Sequence, residues 1–163
     1  MAEKFVLRIW TDGSHIKGTT IMGYGAFAKY ADVTAELTCR VRGGEGFSNP
    51  TLELLAAWRV VRILLARGTD LAARFSHVEI FSDYIGVAKY ANGEWSAARA
   101  STKTAAFRST ALRWEKALRE LRGLLPVSVA WVRGHSGNAG NDRADELARS
   151  ATECNTFARL FDP

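Results

Sequence analysis

The sequence contains few cysteines and few prolines, two and three respectively among 163 residues. Cys39 and Cys154 lie far apart and in no spacing typical of a metal site, which argues against a disulfide framework or a cysteine-ligated metal centre. This cysteine usage favours a reducing compartment, so we expect a cytoplasmic protein. Because the prolines are scattered, no proline-rich linker divides the chain.

Long hydrophobic runs are also missing. Charged residues interrupt every apolar stretch before it reaches the roughly 20 residues that a membrane helix needs. The first eight residues mix one acid and two bases with apolar side chains, unlike a signal peptide. With 47% hydrophobic and 24% charged residues, the composition is globular, and the length predicts a single domain over residues 1–163. We expect a monomer without a membrane partner.

Positive charge is concentrated in one part of the chain. The net charge is +5, and residues 96–122 hold seven basic and two acidic residues, an excess equal to the net charge of the whole chain. This segment permits binding to a polyanion, although basic character alone does not establish it. Its bases are Arg99, Lys103, Arg108, Arg113, Lys116, Arg119 and Arg122.

Apolar periodicity and turn residues predict five strands and four helices. The strands are expected at Lys4–Asp12, Gly23–Asp32, Thr34–Arg42, His77–Asp83 and Pro126–Val132. The helices are expected from Asn49 to about Arg67, over Tyr84–Tyr90, over Ala105–Arg122, and from Asn141 to about Thr152, with the asparagines as N-caps. Glycine-rich loops are expected at 43–46 and 134–140.

The order of these elements predicts an α/β fold. The first three strands follow one another closely, which favours antiparallel pairing, whereas helical crossovers lead to the fourth and fifth strands and favour parallel pairing. We therefore expect a mixed five-stranded sheet, with three antiparallel strands, two strands added in parallel, and helices on both faces.

Two aspartates are predicted at strand ends. Asp12 ends the first strand and Asp83 ends the fourth. In α/β sheets, functional sites form outside the carboxyl ends of the strands, so parallel neighbours would place these carboxylates side by side. The alternative is that each aspartate merely begins a turn, as aspartate often does.

Two further carboxylates are expected near helix starts. Glu53 stands in an apolar helix start, where burying an acid without a partner is costly, and it follows Asn49 by four residues. Asp145 follows Asn141 by the same interval. Both are predicted in a first turn, where the helix dipole favours an anion. A solvated first-turn acid is the alternative, and it is our interpretation of Asp142.

Four converging carboxylates need cations to neutralise them. Hard divalent cations with oxygen ligands fit this set, because no cluster of cysteine and histidine suggests zinc. Two such ions can clamp the attacking and leaving oxygens of a phosphodiester. His135 lies on the glycine-rich loop, where an imidazole could move a proton; a solvated loop histidine is the alternative.

Together these residues resemble the type 1 ribonuclease H family. The resemblance runs from about Phe5 to Ala151, and the ordered set of motifs is far more specific than any one of them. The matching stretches are Thr11-Asp12-Gly13-Ser14, Gly23-Tyr24-Gly25-Ala26, Asn49-Pro50-Thr51-Leu52-Glu53-Leu54, Phe81-Ser82-Asp83, and Gly134-His135-Ser136-Gly137 followed by Asn141 and Asp145-Glu146-Leu147-Ala148.

The resemblance implies an endonuclease that hydrolyses the RNA strand of RNA/DNA hybrids and leaves 5′-phosphate and 3′-hydroxyl ends. It implies two magnesium ions, with manganese as a substitute, and gives His135 a role in proton transfer or product release. The implied metal ligands, which are also catalytic residues, are Asp12, Glu53, Asp83 and Asp145.

The resemblance also implies a hybrid-binding surface. Asn49 matches a residue that contacts the minor groove, and Ser48 matches a hydroxyl that holds a DNA-strand phosphate. Residues 95–122 look like the basic protrusion of the family, with Trp114 expected in the core and 153–163 as a tail. The expected substrate-binding residues are Ser14, Ser48, Asn49, Trp95, Arg99, Lys103, Arg108 and Asn141.

The sequence departs from the family pattern near this surface. Tyr84 and Ile85 stand where the family usually has serine and a polar residue, and Pro50 replaces asparagine or glutamine. Gly46 stands where some members have an arginine of the phosphate pocket. These departures predict altered groove contacts and an altered strand preference.

Two other functions remain open from the sequence. Because a fold does not determine function, a related nuclease could act on branched DNA or duplex RNA. A non-catalytic module that binds hybrids belongs to a different class. The complete carboxylate set and His135 argue against such a module, because binding alone does not need four anions near a phosphate.

Overall fold

The computed structural model describes residues 2–42 and 47–153. The strands of this part of the chain are β1 (Phe5–His15), β2 (Ile21–Tyr30), β3 (Val33–Arg42), β4 (Phe75–Ser82) and β5 (Val127–Trp131). The helices are α1 (Asn49–Leu65), α2 (Thr69–Arg74), α3 (Ile85–Ala91), α4 (Ala105–Arg122) and α5 (Ala139–Glu153), with a 3-10 turn at Ala97–Arg99. The predicted loop at 43–46 and most of the predicted tail lie outside the described residues.

The strands form one five-stranded sheet in the order β3-β2-β1-β4-β5. Pairing is antiparallel between β1 and β2 and between β2 and β3, and parallel between β1 and β4 and between β4 and β5. This topology confirms the predicted mixed sheet. Short connections join the antiparallel strands, and the parallel neighbours are reached through helices.

Strand β1 does not end at Asp12, as the turn-like residues after it suggested. It continues to His15, because residues 12–15 pair with residues 22–25 of β2. The parallel pairing of β1 with β4 stops at Thr11 and Ser82, one residue before Asp12. Asp12 therefore lies where β1 extends past β4, and Asp83 comes directly after the last residue of β4.

The helix starts at α1 and α5 differ from the prediction. Ser48, not Asn49, caps α1 by accepting the backbone N–H of Thr51 at 3.5 Å. In α5, the Oδ1 atom of Asn138 accepts the backbone N–H of Asn141 at 3.0 Å, so Asn141 lies inside the helix. The cap of α1 thus lies one position earlier than predicted, and that of α5 three positions earlier, which places Glu53 and Asp145 in the second turn of their helices. The prediction that the helix dipole stabilises both acids in a first turn is therefore wrong.

The segment after α1 contains a helix that the sequence analysis missed. Helix α1 ends at Leu65, and α2 spans six residues after Gly68, whose φ of 57° lies in the left-handed region. Glycine adopts this conformation without steric cost, which allows the chain to change direction there. Six residues are too few for apolar periodicity to reveal a helix.

Helix α4 has the predicted bounds and presents a buried face and an exposed face. One face is buried against the core, and Trp114 is fully buried, as predicted, with its indole donating to the carbonyl oxygen of Val87 at 3.1 Å. The basic residues of α4 occupy the other face. The helix therefore joins the core to a charged surface.

Close approaches place helices on both faces of the sheet, as predicted. On one face, a Cβ atom at Gly13 of β1 would lie 2.8 Å from Cγ of Leu52 in α1. On the other, a Cβ atom at Gly25 of β2 would lie 2.5 Å from the backbone nitrogen of Ala148 in α5. No helix among the described residues is long and apolar enough to cross a membrane.

Candidate active site

Three carboxylates meet where β1 and β4 part. Asp12 of β1, Glu53 of α1 and Asp83 after β4 each offer an oxygen atom within 4.8 Å of the others. Asp12 and Glu53 are buried, with 4% and 8% of their surfaces exposed, and Asp83 is partly buried. We call these residues the carboxylate cluster.

The backbone at Gly13 holds two members of the cluster together. Its N–H donates to Oδ1 of Asp12 at 2.8 Å and to Oε1 of Glu53 at 3.1 Å. A Cβ atom at this position would lie 3.3 Å from Oε1 of Glu53 and closer still to Leu52. This donor could not be predicted from the sequence, because it is brought to Glu53 only when β1 and α1 pack together.

Burial and mutual repulsion make the cluster retain protons. Burial raises the pKa of Asp12 to about 7, with smaller contributions from the charges of Asp83 and Asp145, while hydrogen bonds from Glu53 and Gly13 oppose the rise. Burial, followed by the charge of Asp12, raises the pKa of Glu53. The pKa of Asp83 is also raised, chiefly by burial. Burial and the neighbouring negative charges thus favour the protonated form of these carboxyl groups when no cation is bound.

The cluster fits a hard divalent cation. Its donors are carboxylate oxygens, the ligands that magnesium and manganese prefer. Oε2 of Glu53 is buried and lacks a hydrogen-bond partner among the described residues, so this oxygen is available to a cation. Within 2–42 and 47–153, no lysine or arginine forms an ion pair with any of the three carboxylates.

Asp145, the fourth predicted ligand, lies beside the cluster. Its Oδ2 atom forms an ion pair with Nη2 of Arg149 at 2.7 Å, one helical turn along α5. Its charge nevertheless raises the pKa values of both Asp12 and Asp83, so it is close enough to act on them. The structure thus unites three of the predicted carboxylates and leaves the fourth next to them, paired with a cation of its own helix.

The loop between β5 and α5 lies against Asp83. A Cβ atom at Gly134 would lie 3.0 Å from Oδ2 of Asp83, so the glycine permits this contact. His135 is exposed with φ at 53°, and its positive charge lowers the pKa of Asp83. Asn141 is buried, its side chain bonds to Asp83, and its Oδ1 atom has no partner. The predicted substrate residue Asn141 thus contacts a carboxylate of the cluster.

The remaining predicted substrate residues are spread over the surface around the site. Ser48 and Asn49 are exposed at the start of α1, where the Oγ atom of Ser48 also serves the helix cap. Ser14 is half-buried in β1. Arg108 is exposed on α4. Gly46 lies outside the described residues.

An open groove lies on the side of α3. Trp95, Arg99 and Lys103 line it together with Tyr84, and its volume is about 430 Å³. Lys89 places its Nζ atom 5.2 Å from the centre of the Trp95 ring. We call this the aromatic groove. It brings together three predicted substrate residues that are up to eight positions apart in the chain.

Tyr84 links the groove to the cluster. The charge of Glu53 contributes, after burial and the charge of Tyr90, to raising the pKa of Tyr84 to about 12. Its ring crosses Gly86, where a Cβ atom would lie 2.4 Å from ring carbons. The departure from serine at this position is therefore accommodated by a glycine two residues later, a pairing that the sequence alone did not suggest.

The comparisons with known proteins agree with this geometry. The family model described as RNase H matches residues 4–153. This chain belongs to the ribonuclease H family. It is 33% identical over 150 residues to the ribonuclease H of Rhizobium etli, and the match covers 89% of this chain and 90% of that protein.

Solved structures show the same fold as this chain. The RNase H1 of the halophilic archaeon Halobacterium salinarum NRC-1 is 20% identical, with a TM-score of 0.67, and the match covers 91% of this chain and 98% of that one. LC11-RNase H1, whose structure is a complex with an RNA/DNA hybrid, is 17% identical, with a TM-score of 0.68 and coverage of 90% and 96%. The predicted family and fold are confirmed.

Proposed function

We propose that this ribonuclease H is a metal-dependent endonuclease that hydrolyses the RNA strand of RNA/DNA hybrids. The observation that carries the proposal is the carboxylate cluster: two buried acids and one partly buried acid lie within 4.8 Å of one another, and none of the bases in the described residues forms an ion pair with them. Such a cluster is unfavourable in a protein that binds nucleic acid without reacting with it, because it repels phosphate. Binding of cations would neutralise the repulsion among these carboxylates and so accounts for their presence at one place in the fold.

Asp12, Glu53 and Asp83 would hold divalent cations, and Asp145 would join them by leaving Arg149. Two magnesium ions bound there would stabilise the attacking and leaving oxygens of the phosphodiester. Gly13 and Asn141 hold the carboxylates in place through the contacts described above. His135 stands at the open side of Asp83, where its imidazole could take a proton and then withdraw with its loop.

The surroundings of the cluster fit a duplex substrate. The aromatic groove begins at Tyr84, beside Glu53, and continues to Arg99 and Lys103. Grooves that bind nucleic acids combine basic side chains, which follow the phosphate backbone, with aromatic side chains, on which nucleobases stack. The relative LC11-RNase H1 binds an RNA/DNA hybrid in its solved structure. These observations support a hybrid as the substrate, with one strand over the cluster and the other toward the groove.

A cleavage assay with four labelled substrates tests the proposal. Purified protein is offered an RNA/DNA hybrid, duplex RNA, duplex DNA and a four-way DNA junction, each with magnesium and with a chelator. We expect cleavage of the RNA strand of the hybrid with magnesium and no cleavage with chelator. Preferred cleavage of duplex RNA or of the junction would assign another nuclease activity.

The same assay separates an enzyme from a binding module. The variant Asp12→Asn keeps the shape of the side chain and removes one charge from the cluster. We expect it to bind the hybrid and leave it intact. If the wild-type protein binds the hybrid but cleaves none of the four substrates at any magnesium concentration, the chain is a binding module and the proposed activity is wrong.

A further inference from the structure

Trp131 is a large aromatic residue that the core does not explain. It is the last residue of β5, and 49% of its surface is exposed. Its neighbour two positions earlier, Val129, carries the buried contact of this strand. A tryptophan with this exposed fraction gives up about half of the free energy that full burial would provide. A different contact has to account for its orientation.

That contact is to the backbone of Asp83. The indole Nε1–H of Trp131, which can act only as a donor, donates a hydrogen bond to the carbonyl oxygen of Asp83 at 2.9 Å. The strand pairing between β4 and β5 ends at Ser82, whose carbonyl oxygen accepts the N–H of Val132 at 3.0 Å. Asp83 thus lies one residue beyond the regular strand pairing, and its carbonyl oxygen accepts a hydrogen bond from the Trp131 side chain instead of from a backbone N–H.

The same short segment also reaches the carboxyl group of Asp83. Gly134 approaches Oδ2 closely, and His135 acts on the carboxylate by its charge. Residues 131–135 therefore contact Asp83 on two sides, with Trp131 at the backbone and the glycine at the side chain. Fixing the backbone limits the directions in which the carboxylate can point.

We propose that Trp131 is a positioning residue that fixes Asp83 in the direction in which it binds a cation. This inference deepens the proposed function and rests on it. Groups that orient metal ligands typically change metal affinity by about 10–100-fold when they are lost. Because Trp131 acts through the backbone rather than through the carboxylate itself, we expect the lower end of that range, about tenfold.

The test compares Trp131→Phe with the wild-type protein. Phenylalanine keeps an aromatic ring and removes the N–H donor. The matched control is Trp58→Phe, which makes the same change on α1 in a half-buried residue whose ring lies 5.7 Å from the guanidinium of Arg113. Calcium binding is measured by titration calorimetry, so that no cleavage is needed. We expect about tenfold weaker calcium binding for Trp131→Phe and no change for the control.

Kinetics distinguish positioning from a general loss of structure. For Trp131→Phe we expect the magnesium concentration for half-maximal activity to rise, with turnover restored at high magnesium and the KM for the hybrid unchanged. A merely structural role would lower the melting temperature and would not be rescued by magnesium. Unchanged calcium affinity in a folded Trp131→Phe protein overturns the inference, whereas absence of cation binding by the wild-type protein overturns the proposed function instead.

A measurement on the wild-type protein does not depend on the folding of any variant. With indole nitrogens labelled, nuclear magnetic resonance follows the exchange of each indole hydrogen with solvent. We expect the hydrogen of Trp131 to exchange more slowly than that of Trp95, which is 38% exposed, and to slow further when calcium binds. Fast exchange of the Trp131 hydrogen, unaffected by calcium, would show that the bond to Asp83 does not form in solution.

Discussion

At the scale of single residues, the carboxylate cluster destabilises the folded protein when its acids are ionised, because their charges are desolvated and repel one another. Asp12 and Glu53 are buried side by side, and the nearby charge of Asp83 adds to their repulsion. A cation relieves this cost, and so does a proton. We therefore expect the same three residues to affect both the stability of the cation-free protein and the cation binding proposed above.

The first prediction concerns pH. The pKa of Asp12 is raised from 3.8 to about 7, so between these values the folded state binds more protons than the unfolded state. The contribution of this group to stability is therefore fully present below its unfolded pKa and is lost as the pH rises through about 7. Denaturant titrations in chelator, between about pH 5 and about pH 7.5, should show stability falling with pH more steeply in the wild-type protein than in Asp12→Asn. Equal slopes would contradict the raised pKa.

The second prediction concerns Asp83. We expect Asp83→Asn to abolish cleavage because one ligand charge is lost, and to melt in chelator at the same or a slightly higher temperature because repulsion is relieved. Asp70→Asn on α2 is the control, since it removes one charge away from the cluster and should leave cleavage unchanged. Near-normal turnover of Asp83→Asn at saturating magnesium would mean that Asp83 is not a ligand.

The third prediction concerns His135. Removing the imidazole in His135→Ala should slow turnover by roughly 10²-fold, a typical contribution of acid–base catalysis, with little change in hybrid affinity. His77→Ala is the control, because that histidine contacts Glu79 on β4 rather than Asp83. Separate measurements of kcat and of binding decide the matter. A loss of affinity with unchanged kcat would contradict a role in proton transfer.

At the scale of elements, the segment from the 3-10 turn to α4 combines structure with charge. Helix α4 buries Phe107, Trp114 and Leu118 and exposes its bases. Arg99 and Lys103, just before the helix, face the aromatic groove. Two bases of this segment therefore lie in the groove, whereas the carboxylates lie where β1 and β4 part.

The fourth prediction concerns this basic segment. Replacing Arg99, Lys103 and Arg108 together by glutamine should weaken hybrid binding and flatten its dependence on salt. Each lost phosphate contact reduces the slope of log K against log salt by about 0.9, which gives an upper bound of about 2.7 for three contacts. Turnover at saturating substrate should change little, since backbone contacts position the substrate. The measurement is a titration of labelled hybrid at several salt concentrations, with calcium in place of magnesium.

A matched triple variant controls for net charge. Lys4, Lys29 and Arg74 lie at the opposite end of the sheet, near the start of β1, the end of β2 and the start of β4. Replacing them by glutamine removes the same charge, and we expect a salt slope close to that of the wild-type protein. If both triple variants flatten the slope equally, binding follows overall charge, and the basic segment is a solvated face.

Elements with local signals could be predicted from the sequence, and elements decided by distant contacts could not. The bounds of α4 follow from its own periodicity, and the pairing of the strands follows from the lengths of their connections. The ends of β1 depend on β2, and the start of α5 depends on the side chain of Asn138. At the site, the residue types of the cluster could be predicted, whereas the shared donor at Gly13 and the contact from Trp131 arise only when separate elements pack together.

At the scale of the whole molecule, the carboxylate cluster and the excess positive charge come from different parts of the chain. Parallel pairing of β1 and β4 brings Asp12 and Asp83 together at the point where that pairing ends, and packing of α1 on the sheet adds Glu53. The aromatic groove begins at Tyr84, whose pKa the charge of Glu53 helps to raise, and two residues of the basic segment, Arg99 and Lys103, line it. A duplex that contacts both surfaces would be held by one and cut by the other.

The most direct test of this account identifies the ends of the cleaved RNA strand. A hybrid is cut with magnesium in ¹⁸O-labelled water, and mass spectrometry determines the fragments from the wild-type protein and from Asp12→Asn. The account predicts RNA fragments with 3′-hydroxyl ends and 5′-phosphates that carry the label, formed by the wild-type protein and absent with Asp12→Asn. Fragments with 2′,3′-cyclic phosphates would contradict it, because they show attack by the ribose 2′-hydroxyl instead of water. Equal cleavage by Asp12→Asn would contradict it as well, because the charge of Asp12 would then not be needed for the reaction.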